Sequence, residues 1–400
     1  MKRILSVLLA ALFLFAAVCP AFAQEDPAGL SFRQDGTFTI LHITDTQDDH
    51  HPSWDMLNLL KRSIAESDPD LIVFTGDVVE DSRVGDVGVD NEPGREGVVV
   101  KDLKGNIDVD KTLANIRTAT AAIFQVLEES GVPYAVAQGN NDHKCGITNE
   151  DWLAIYGQYA HSLTADLSDD AEGRIDYNVM INGADGTPKC NVWLMDTGKG
   201  GVNDDQIDWY RRASTQVTEA NGGQPVPALV FQHIPTADVG NLFVECRAWE
   251  DGATAKGTQY YRLNPETARG NNFYAYVPGS TSEQFRAWKD CGDVMGAYFG
   301  HQHVEGFTGT YDGIELGLTY GMEFAKIGPY GYRVITLHED DIAHYENDLY
   351  VYTGSVKLGT DNIEKQNDEP SPATNTIARL LSYLRNIIKS MISMITTLFG

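Results

Sequence analysis

The chain has 400 residues, of which 42% are hydrophobic, and a formal net charge of −27 at pH 7. This length is enough for a large core and for one α/β domain with additions. The acidic balance of 57 Asp and Glu against 30 Lys and Arg argues against tight nucleic-acid binding, because a phosphate backbone requires a basic surface.

Residues 1–23 have the pattern of a secretory signal peptide. Two basic residues precede an apolar run over 4–18, and an A-x-A cleavage site ends at Ala23. The apolar run is too short to span a bilayer. We therefore predict a secreted, extracytoplasmic protein.

Cysteine usage agrees with export, because Cys19 lies within the predicted signal peptide and an even number remains. In an exported chain this suggests two disulfides. Three connectivities are possible, and we favour a Cys246–Cys291 bond that closes the loop-rich region between them. The remaining cysteines are Cys145, Cys190, Cys246 and Cys291.

A strand–helix–strand pattern opens the predicted domain, which we assign to residues 30–355. A β-rich run over 38–44 ends at Asp45, and an apolar run over 71–74 ends at Asp77. The segment between them has an apolar helical face, formed by Trp54, Leu57, Leu60 and Ile64. This order indicates a parallel βαβ unit, so both carboxylates are expected at the carboxyl edge of one sheet.

Three further apolar runs are followed by polar side chains that can bind metals. The run over 134–137 leads to Asn140, the run over 228–231 to His233, and the run over 294–299 to His301 and His303. Helices are predicted over 112–129 and 152–159. Residues 240–290 are predicted as an irregular lid or substrate-facing insertion, and 317–320 with 332–337 as a terminal meander.

The end of the chain differs from the predicted domain. Residues 356–375 are polar and are predicted as a linker. Residues 376–400 form a heptad-like apolar seam whose charged residues are all basic. This amphipathic basic helix could lie on an anionic membrane surface, trimerise as a short coiled coil, or dock onto the domain.

The polar residues after the strands predict a metal site. Hard carboxylates combined with imidazoles suit two divalent metal ions such as Mn, Fe or Zn. A carboxylate that bridges two ions is the usual arrangement for in-line attack on phosphorus. The residues concerned are Asp45, Asp77, Asn140, His233, His301 and His303.

As an ordered set, these motifs resemble the calcineurin-like metallophosphoesterase superfamily, and most closely a branch that includes purple acid phosphatase 29. The resemblance covers about residues 36–340. It implies an α/β (α+β) fold, a four-layer αββα sandwich of two mixed sheets. The matching motifs are Asp45-Thr46-Gln47, Gly76-Asp77, Gly139-Asn140-Asn141-Asp142, His233 and Gly300-His301-Gln302-His303.

The resemblance also implies how the site is divided. One metal would be held by Asp45, Asp77 and His303, with Gln47 at the position of another family ligand. The second metal would take Asn140, His233 and His301 and share Asp77. Asp77, Asn141 and His143 are the residues to which we assign catalytic roles. The implied activity is phosphoester hydrolysis by a metal-bound hydroxide, on a small-molecule or cell-envelope phosphoester.

Two departures from the family pattern leave a second hypothesis open. Gln47 and Asn141 stand where the family has histidines, and an amide is a poorer metal ligand than an imidazole. His50, His51 or His143 could compensate. Otherwise the domain would be a non-catalytic, phosphoesterase-like binding protein. Glu80 replaces the tyrosine that colours purple acid phosphatases, so we predict a colourless protein.

Overall fold

We describe a computed structural model of the chain for residues 29–82, 96–168, 173–324, 328–356 and 358–366. Within these ranges the protein is a mixed α/β structure with two large sheets. The predicted signal peptide, 1–23, and the predicted basic helix, 376–400, lie outside the described residues. Both remain predictions.

The first sheet contains three parallel strands and an antiparallel meander beside them. The parallel strands are β1 (Thr37–Ile43), β2 (Leu71–Thr75) and β3 (Tyr134–Ala137). The meander is formed by β14 (Tyr330–His338), β15 (Glu346–Thr353) and β16 (Asn362–Lys365). The order across the sheet is β16-β15-β14-β1-β2-β3. Every residue of β2 and β3 is buried, as expected for parallel strands covered on both faces.

The second sheet has seven strands. They are β4 (Tyr177–Asn182), β5 (Pro188–Met195), β6 (Ala228–Gln232), β10 (Ala268–Asn271), β11 (Val294–Phe299), β12 (Gly306–Tyr311) and β13 (Ile314–Leu318). Their order is β10-β12-β13-β11-β6-β5-β4, with β5, β6, β11 and β13 parallel. The region 240–290, predicted to be irregular, contains a small antiparallel sheet of β7 (Phe243–Cys246), β8 (Thr254–Lys256) and β9 (Gln259–Leu263).

Six α-helices lie among the described residues, and most begin at a side chain that caps their first turn. They are α1 (Trp54–Ser67), α2 (Val109–Ser130), α3 (Asn140–Lys144), α4 (Asn149–Tyr156), α5 (Asp204–Ala220) and α6 (Glu283–Cys291). The caps are Ser53, Asp108, Thr148, Asn203 and Ser282, each of which accepts a hydrogen bond from a backbone N–H. A short 3₁₀ helix spans Ala237–Leu242.

The two sheets pack face to face with helices outside, so the predicted four-layer αββα sandwich is confirmed. Helix α1 contacts β1 and β14 of the first sheet, and α6 contacts β11 of the second. Between the sheets, β2 contacts β6 and β3 contacts β5. The imidazole of His42 on β1 meets the Phe231 ring on β6 edge-on, with 5.1 Å between centroids.

The buried face of α1 differs from the predicted one. Trp54 is 65% exposed, whereas Asp55 is fully buried. Asp55 accepts hydrogen bonds from the Tyr352 hydroxyl at 2.7 Å and the Ser355 hydroxyl at 2.9 Å. These contacts with β15 and the segment after it bury Asp55, because a buried carboxylate must be hydrogen-bonded. The other predicted residues of this face, Leu57, Leu60 and Ile64, pack on the core as expected.

Two predictions about the end of the domain are wrong. The first part of the predicted linker 356–375 includes β16, which pairs with β15. A polar segment can form this strand because β16 lies at the edge of the sheet, where its side chains face solvent. The predicted terminal meander is not one either. β13 belongs to the second sheet and β14 to the first, and the chain crosses between the sheets beside Asp45, where the Met322 N–H donates to the Asp45 carbonyl at 3.0 Å.

The predicted disulfides are also wrong, because all four cysteines of the described residues are free. Cys145 and Cys190 are buried at separate places in the core. Cys246 lies on β7 of the small sheet, and Cys291 ends α6 on the outside of the second sheet. The cysteines are therefore carried by different elements that the fold holds apart.

None of the helices in the described ranges combines the length and apolar character needed to cross a membrane.

Candidate metal centre

The site residues follow strands that end at a common edge between the two sheets. β1 and β2 run parallel in the first sheet, and β6 and β11 run parallel in the second. Because the carboxyl ends of parallel strands share an edge, the loops after these four strands meet. The Gly300 N–H, which follows β11, donates to the His233 carbonyl, which follows β6, at 3.1 Å.

The backbone at the site is held in an uncommon conformation. Five non-glycine site residues have φ between 37° and 72°: Asp45, Gln47, Asp77, His301 and His303. This left-handed region disfavours residues with a Cβ, and such strain persists where surrounding contacts determine it. Here the left-handed conformation lets the backbone turn sharply after each strand and direct the side chain toward the neighbouring loops.

The first group of potential ligands comprises Asp45, Asp77 and His303, with one ligand atom of each within 4.8 Å of the others. Asp45 Oδ2 accepts from the Thr44 hydroxyl at 2.7 Å and from the His301 N–H at 2.8 Å. Asp45 Oδ1 is buried, has no hydrogen-bond partner among the described residues and lies 3.3 Å from His303 Nε2. One oxygen is therefore fixed and the other faces the site.

The second group comprises Asp77, His233 and His301, with Asn140 beside it. Asn140 Oδ1 lies 3.2 Å from His233 Nε2 and faces His301 Nδ1 at 2.8 Å. His233 Nδ1 lies 2.7 Å from the Thr75 carbonyl, so its N–H donates there and Nε2 turns to the site. With the amide oxygen facing the two imidazoles, three possible ligand atoms converge, namely Asn140 Oδ1, His233 Nε2 and His301 Nδ1. The reversed amide would instead donate to both imidazoles.

Asp77 belongs to both groups. Its Oδ2 is 3.1 Å from His233 Nε2, and its Oδ1 accepts the Asn141 N–H at 2.7 Å. Burial opposes the charges, but the attraction of His233 lowers the pKa of Asp77 to about 2. Burial likewise opposes protonation of His233, and the charges of Asp77 and Asp45 raise its pKa to about 9. Both shifts favour the charged forms of this pair, and a divalent cation bound here would compete with the proton on His233.

The Gln47 side chain contacts the shared carboxylate of the site. Its Nε2 donates to Asp77 Oδ2 at 2.9 Å, so in this orientation the amide supports the shared carboxylate. The buried Asp77 oxygen requires donors, and the amide nitrogen is placed to provide one. That Gln47 also binds metal through its side-chain oxygen stays a prediction.

Asn141 and its neighbours include a residue that sequence reasoning missed. The Asn141 side-chain oxygen accepts from Lys144 Nζ at 2.6 Å, and the same amine lies 2.9 Å from the Asn140 amide. Lys144 thus places a cation beside Asn141, the position where the family has a histidine. Its spacing on the one-turn helix α3 is the signal that could have revealed it, because residues i and i+3 share a helix face.

His143 is directed elsewhere. Its Nε2 lies 2.7 Å and 2.9 Å from the two carboxylate oxygens of Asp196, and Arg174 stands 3.7 Å from Asp196 on another side. His143 is not in either ligand group of the described residues. Its contacts fit a structural ion pair that ties α3 to the end of β5, so they lend no support to the predicted catalytic role.

Two buried acids complete the surroundings of the site. Asp142 accepts from the Val78 N–H at 3.0 Å and the Gly139 N–H at 2.9 Å, which joins the loops after β2 and β3. Burial and the nearby charge of Asp77 raise the pKa of Asp142 to about 7. Glu323 Oε2 lies 2.5 Å from His303 Nδ1 and orients that ring. No motif in the sequence marks Glu323.

The residues present fit divalent metal ions. A buried carboxylate oxygen of Asp45 has no hydrogen-bond donor within the described part of the chain, and the acceptor atoms of the second group converge on one point. The imidazoles of His233 and His303 are each anchored through the nitrogen that points away from the site. A donor set of carboxylates, imidazoles and one amide is typical of Mn, Fe and Zn sites.

Comparison with known proteins identifies relatives. A family model described as calcineurin-like phosphoesterase matches residues 38–305. The chain is 26% identical over 371 residues to the Arabidopsis thaliana protein named probable inactive purple acid phosphatase 14, covering 82% of this chain and 80% of the relative. It is 22% identical over 378 residues to probable inactive purple acid phosphatase 29 of the same plant, covering 83% and 84% respectively.

Among solved structures, a dimetal phosphatase from Danio rerio aligns with a TM-score of 0.43 and 11% identity. The alignment covers 83% of this chain and 99% of that one.

Proposed function

Because the chain belongs to the calcineurin-like phosphoesterase family, we propose that it hydrolyses phosphoesters with two divalent metal ions. The observation that carries this proposal is the pair of ligand groups that share Asp77. A carboxylate common to two sites is the arrangement that dinuclear hydrolases use.

The ligands divide between the two ions as follows. Asp45, Asp77 and His303 would hold one ion, and Asp77, Asn140, His233 and His301 would hold the other. When bound, the ions supply Lewis acidity that activates water and neutralises charge on a phosphoryl group. Their identity is left open among Mn, Fe and Zn.

The chain's own residues keep the site rigid. Asp77 is held by the Asn141 N–H and by the Gln47 amide, so it cannot turn away when substrate approaches. Glu323 orients His303. This preorganisation matters because electrostatic stabilisation is most effective when the groups need not reorganise during the reaction.

Lys144 supplies the charge that the family histidine would otherwise bring. Its ammonium contacts Asn141 at the rim of the second ligand group. From there it can donate a hydrogen bond to a phosphoryl or leaving-group oxygen. Asn141 positions that amine and does not itself carry charge.

The substrate we propose is a phosphoester outside the cytoplasm, either a small molecule or an envelope component. A chain of net charge −27 repels long polyanions, which favours compact substrates. Export depends on residues 1–23, and membrane-surface contact depends on residues 376–400. Both segments are outside the described residues.

A non-catalytic binding role is the second candidate. Two specific observations favour it: Gln47, which stands where the family has a histidine, donates its amide N–H to Asp77, and curated relatives carry the word inactive in their names. In this case the metal ions would stabilise the site or bind a phosphorylated ligand without turning it over.

The test is turnover of p-nitrophenyl phosphate and bis-p-nitrophenyl phosphate after reconstitution with Mn²⁺, Zn²⁺ or Fe²⁺. We expect Asp77→Asn to lower metal-dependent turnover by about 100-fold or more, since a catalytic metal ion contributes several kcal/mol. Asp68→Asn is the matched control, because Asp68 has a similar φ of 44° but lies outside the site. Its turnover should equal that of the wild type.

Two results would contradict the proposal. Turnover that survives in Asp77→Asn would place the chemistry elsewhere. Absence of turnover in a protein that retains two equivalents of metal, with every metal tested, would favour the binding role.

A further inference from the structure

A second cluster of metal-binding side chains lies beside the metal centre but is separate from it. Asp49, His50 and His51 each offer one ligand atom, and these atoms lie within 4.8 Å of one another. The cluster shares no residue with either group of the metal centre. His50 and His51 were predicted as possible substitutes for the missing family histidines, but neither belongs to a ligand group of the metal centre among the described residues.

The cluster contains a nitrogen that lacks a partner. His50 Nδ1 is buried and has no hydrogen-bond partner among the described residues. The rings of His50 and His51 are 4.2 Å apart between centroids, and His51 Nδ1 is 3.8 Å from Asp49 Oδ1. A buried polar atom without a partner destabilises the folded protein, and a bound cation would provide that partner.

The Asp49 carboxylate is buried and fixed. Its side chain is 3% exposed. Oδ1 accepts the His51 N–H at 2.6 Å, and Oδ2 accepts the Glu96 N–H at 3.0 Å. Each carboxylate oxygen has two lone pairs, so one on each remains for a cation.

The loop that carries the cluster is anchored to the metal centre. Asp48 forms a parallel bridge with Val79, and its carboxylate accepts the Asp49 N–H at 2.9 Å and the Ser53 N–H at 3.0 Å. Ser53 then caps α1. The ligand-bearing residues are thus supported on both sides, by the strand ends and by a helix, before any cation binds.

We propose that Asp49, His50 and His51 form a third metal site, for a divalent transition-metal ion such as Zn²⁺, Ni²⁺ or Co²⁺. Two imidazoles and one carboxylate suit these ions better than Mg²⁺ or Ca²⁺, which prefer oxygen ligands. The His51 side chain is 73% exposed, so the remaining coordination positions face solvent. The proposal does not depend on the hydrolase activity.

The experiment measures metal stoichiometry in the full chain. Apoprotein is dialysed against Zn²⁺ or Ni²⁺ and the bound metal is counted by elemental analysis, for the wild type and for His50→Ala with His51→Ala. We expect the double variant to bind one equivalent fewer. His344→Ala is the matched control: His344 is an 83%-exposed histidine that pairs with Asp341, and its loss should change nothing.

A further comparison separates this site from the metal centre. In an Asp77→Asn background the third equivalent should remain, and it should disappear on adding the two histidine changes. If the double variant does not fold, His51→Ala alone serves, since an exposed side chain can be removed without disturbing packing. It should weaken the third site at least tenfold. Equal stoichiometry and affinity in the wild type and these variants would overturn the proposal.

Discussion

At the scale of single residues, the metal centre is organised by groups that bind no metal themselves. Thr44 and the His301 N–H hold one oxygen of Asp45, and Thr75 holds the ring of His233. Each of these contacts leaves one ligand atom aimed at the site. The geometry is therefore set before metal arrives, which lowers the cost of binding.

Glu323 provides a direct test of this support. Glu323→Gln keeps the shape of the side chain but removes the charge facing His303 Nδ1. We expect metal affinity or turnover to fall by roughly 10- to 100-fold, the range for loss of a group that orients a metal ligand. Isothermal titration with Mn²⁺ or Zn²⁺ would measure it. Glu339→Gln, whose Oε1 lies 3.7 Å from Lys189 in a distant ion pair, should behave as the wild type.

Lys144 can be tested through the leaving group. Lys144→Met should lower turnover by roughly 10- to 100-fold, at the low end for one oxyanion donor because the amine is partly exposed. The loss should be larger for an alkyl phosphate than for p-nitrophenyl phosphate, whose leaving group needs less stabilisation. Lys104→Met is the control, because Lys104 is a surface residue whose N–H donates to Asp102 and which, in the described part of the chain, contacts no residue of the site. An equal loss with both substrates would contradict the assigned role.

At the scale of elements, the site depends on strand ends that approach each other closely. Gly76, which follows β2, has φ of +76°, and a Cβ there would lie 2.3 Å from the backbone nitrogen of Gly139, which follows β3. The loop carrying Asp77 thus packs directly on the loop carrying Asn140. Only glycine allows this approach.

Gly76→Ala is expected to lower the free energy of unfolding by about 2–5 kcal/mol, which combines a left-handed backbone penalty with overpacking. Gly105→Ala carries only the backbone penalty, because Gly105 has φ of +87° but no atom within 4 Å of its Cβ position, so the difference between the two variants measures the overpacking. Urea denaturation would measure both. Equal destabilisation by the two changes would show that the close approach to Gly139 adds nothing.

At the scale of the whole molecule, buried acids outside the metal centre join the layers. Asp176 accepts the Asp196 N–H at 2.8 Å and the Gln206 amide at 2.9 Å, which links β4, β5 and α5. Burial and the charge of Asp196 raise the pKa of Asp176 to about 8. Burial also raises the pKa of Glu305 to about 7, although the Tyr274 N–H and the Tyr276 hydroxyl hydrogen-bond to its carboxylate.

These shifts predict how stability varies with pH. A carboxyl whose pKa is about 4 when unfolded and about 8 when folded binds an extra proton in the native state between those values. The stabilisation is complete below pH 4 and is lost as the pH rises to 8, at about 1.4 kcal/mol per pH unit for each such group.

We therefore expect the metal-free protein to unfold at a lower temperature at pH 8 than at pH 5. Asp176→Asn mimics the protonated acid and removes one titrating group. It should therefore reduce the pH slope of the unfolding free energy by about 1.4 kcal/mol per pH unit. Asp185→Asn is the control, because hydrogen bonds from Thr187 lower the pKa of Asp185 and place its titration outside the window. An unchanged pH slope in Asp176→Asn would contradict the assignment. Calorimetric scans across this range would measure it.

The amino-acid sequence by itself determined the strand ends and their chemistry. Apolar runs bounded by glycine or polar residues are local signals, so Asp45, Asp77, His233, His301 and His303 could be assigned to the ends of strands. The sequence predicted a single sheet edge for them, whereas the structure divides these strands between two sheets. The order of the motifs then indicated the family and with it the four-layer fold. Asn140 was identified in the same way.

Only the tertiary structure decided which atoms face the site and which sheet each strand joins. The His301 N–H meets Asp45 across 256 positions of the chain, and no local pattern encodes such a contact. The same holds for Gln47 as a donor, for Glu323 behind His303, for the pairing of β16 and for the free cysteines. Each depends on neighbours that folding brings together, and hydrophobic periodicity records only which face of an element is buried.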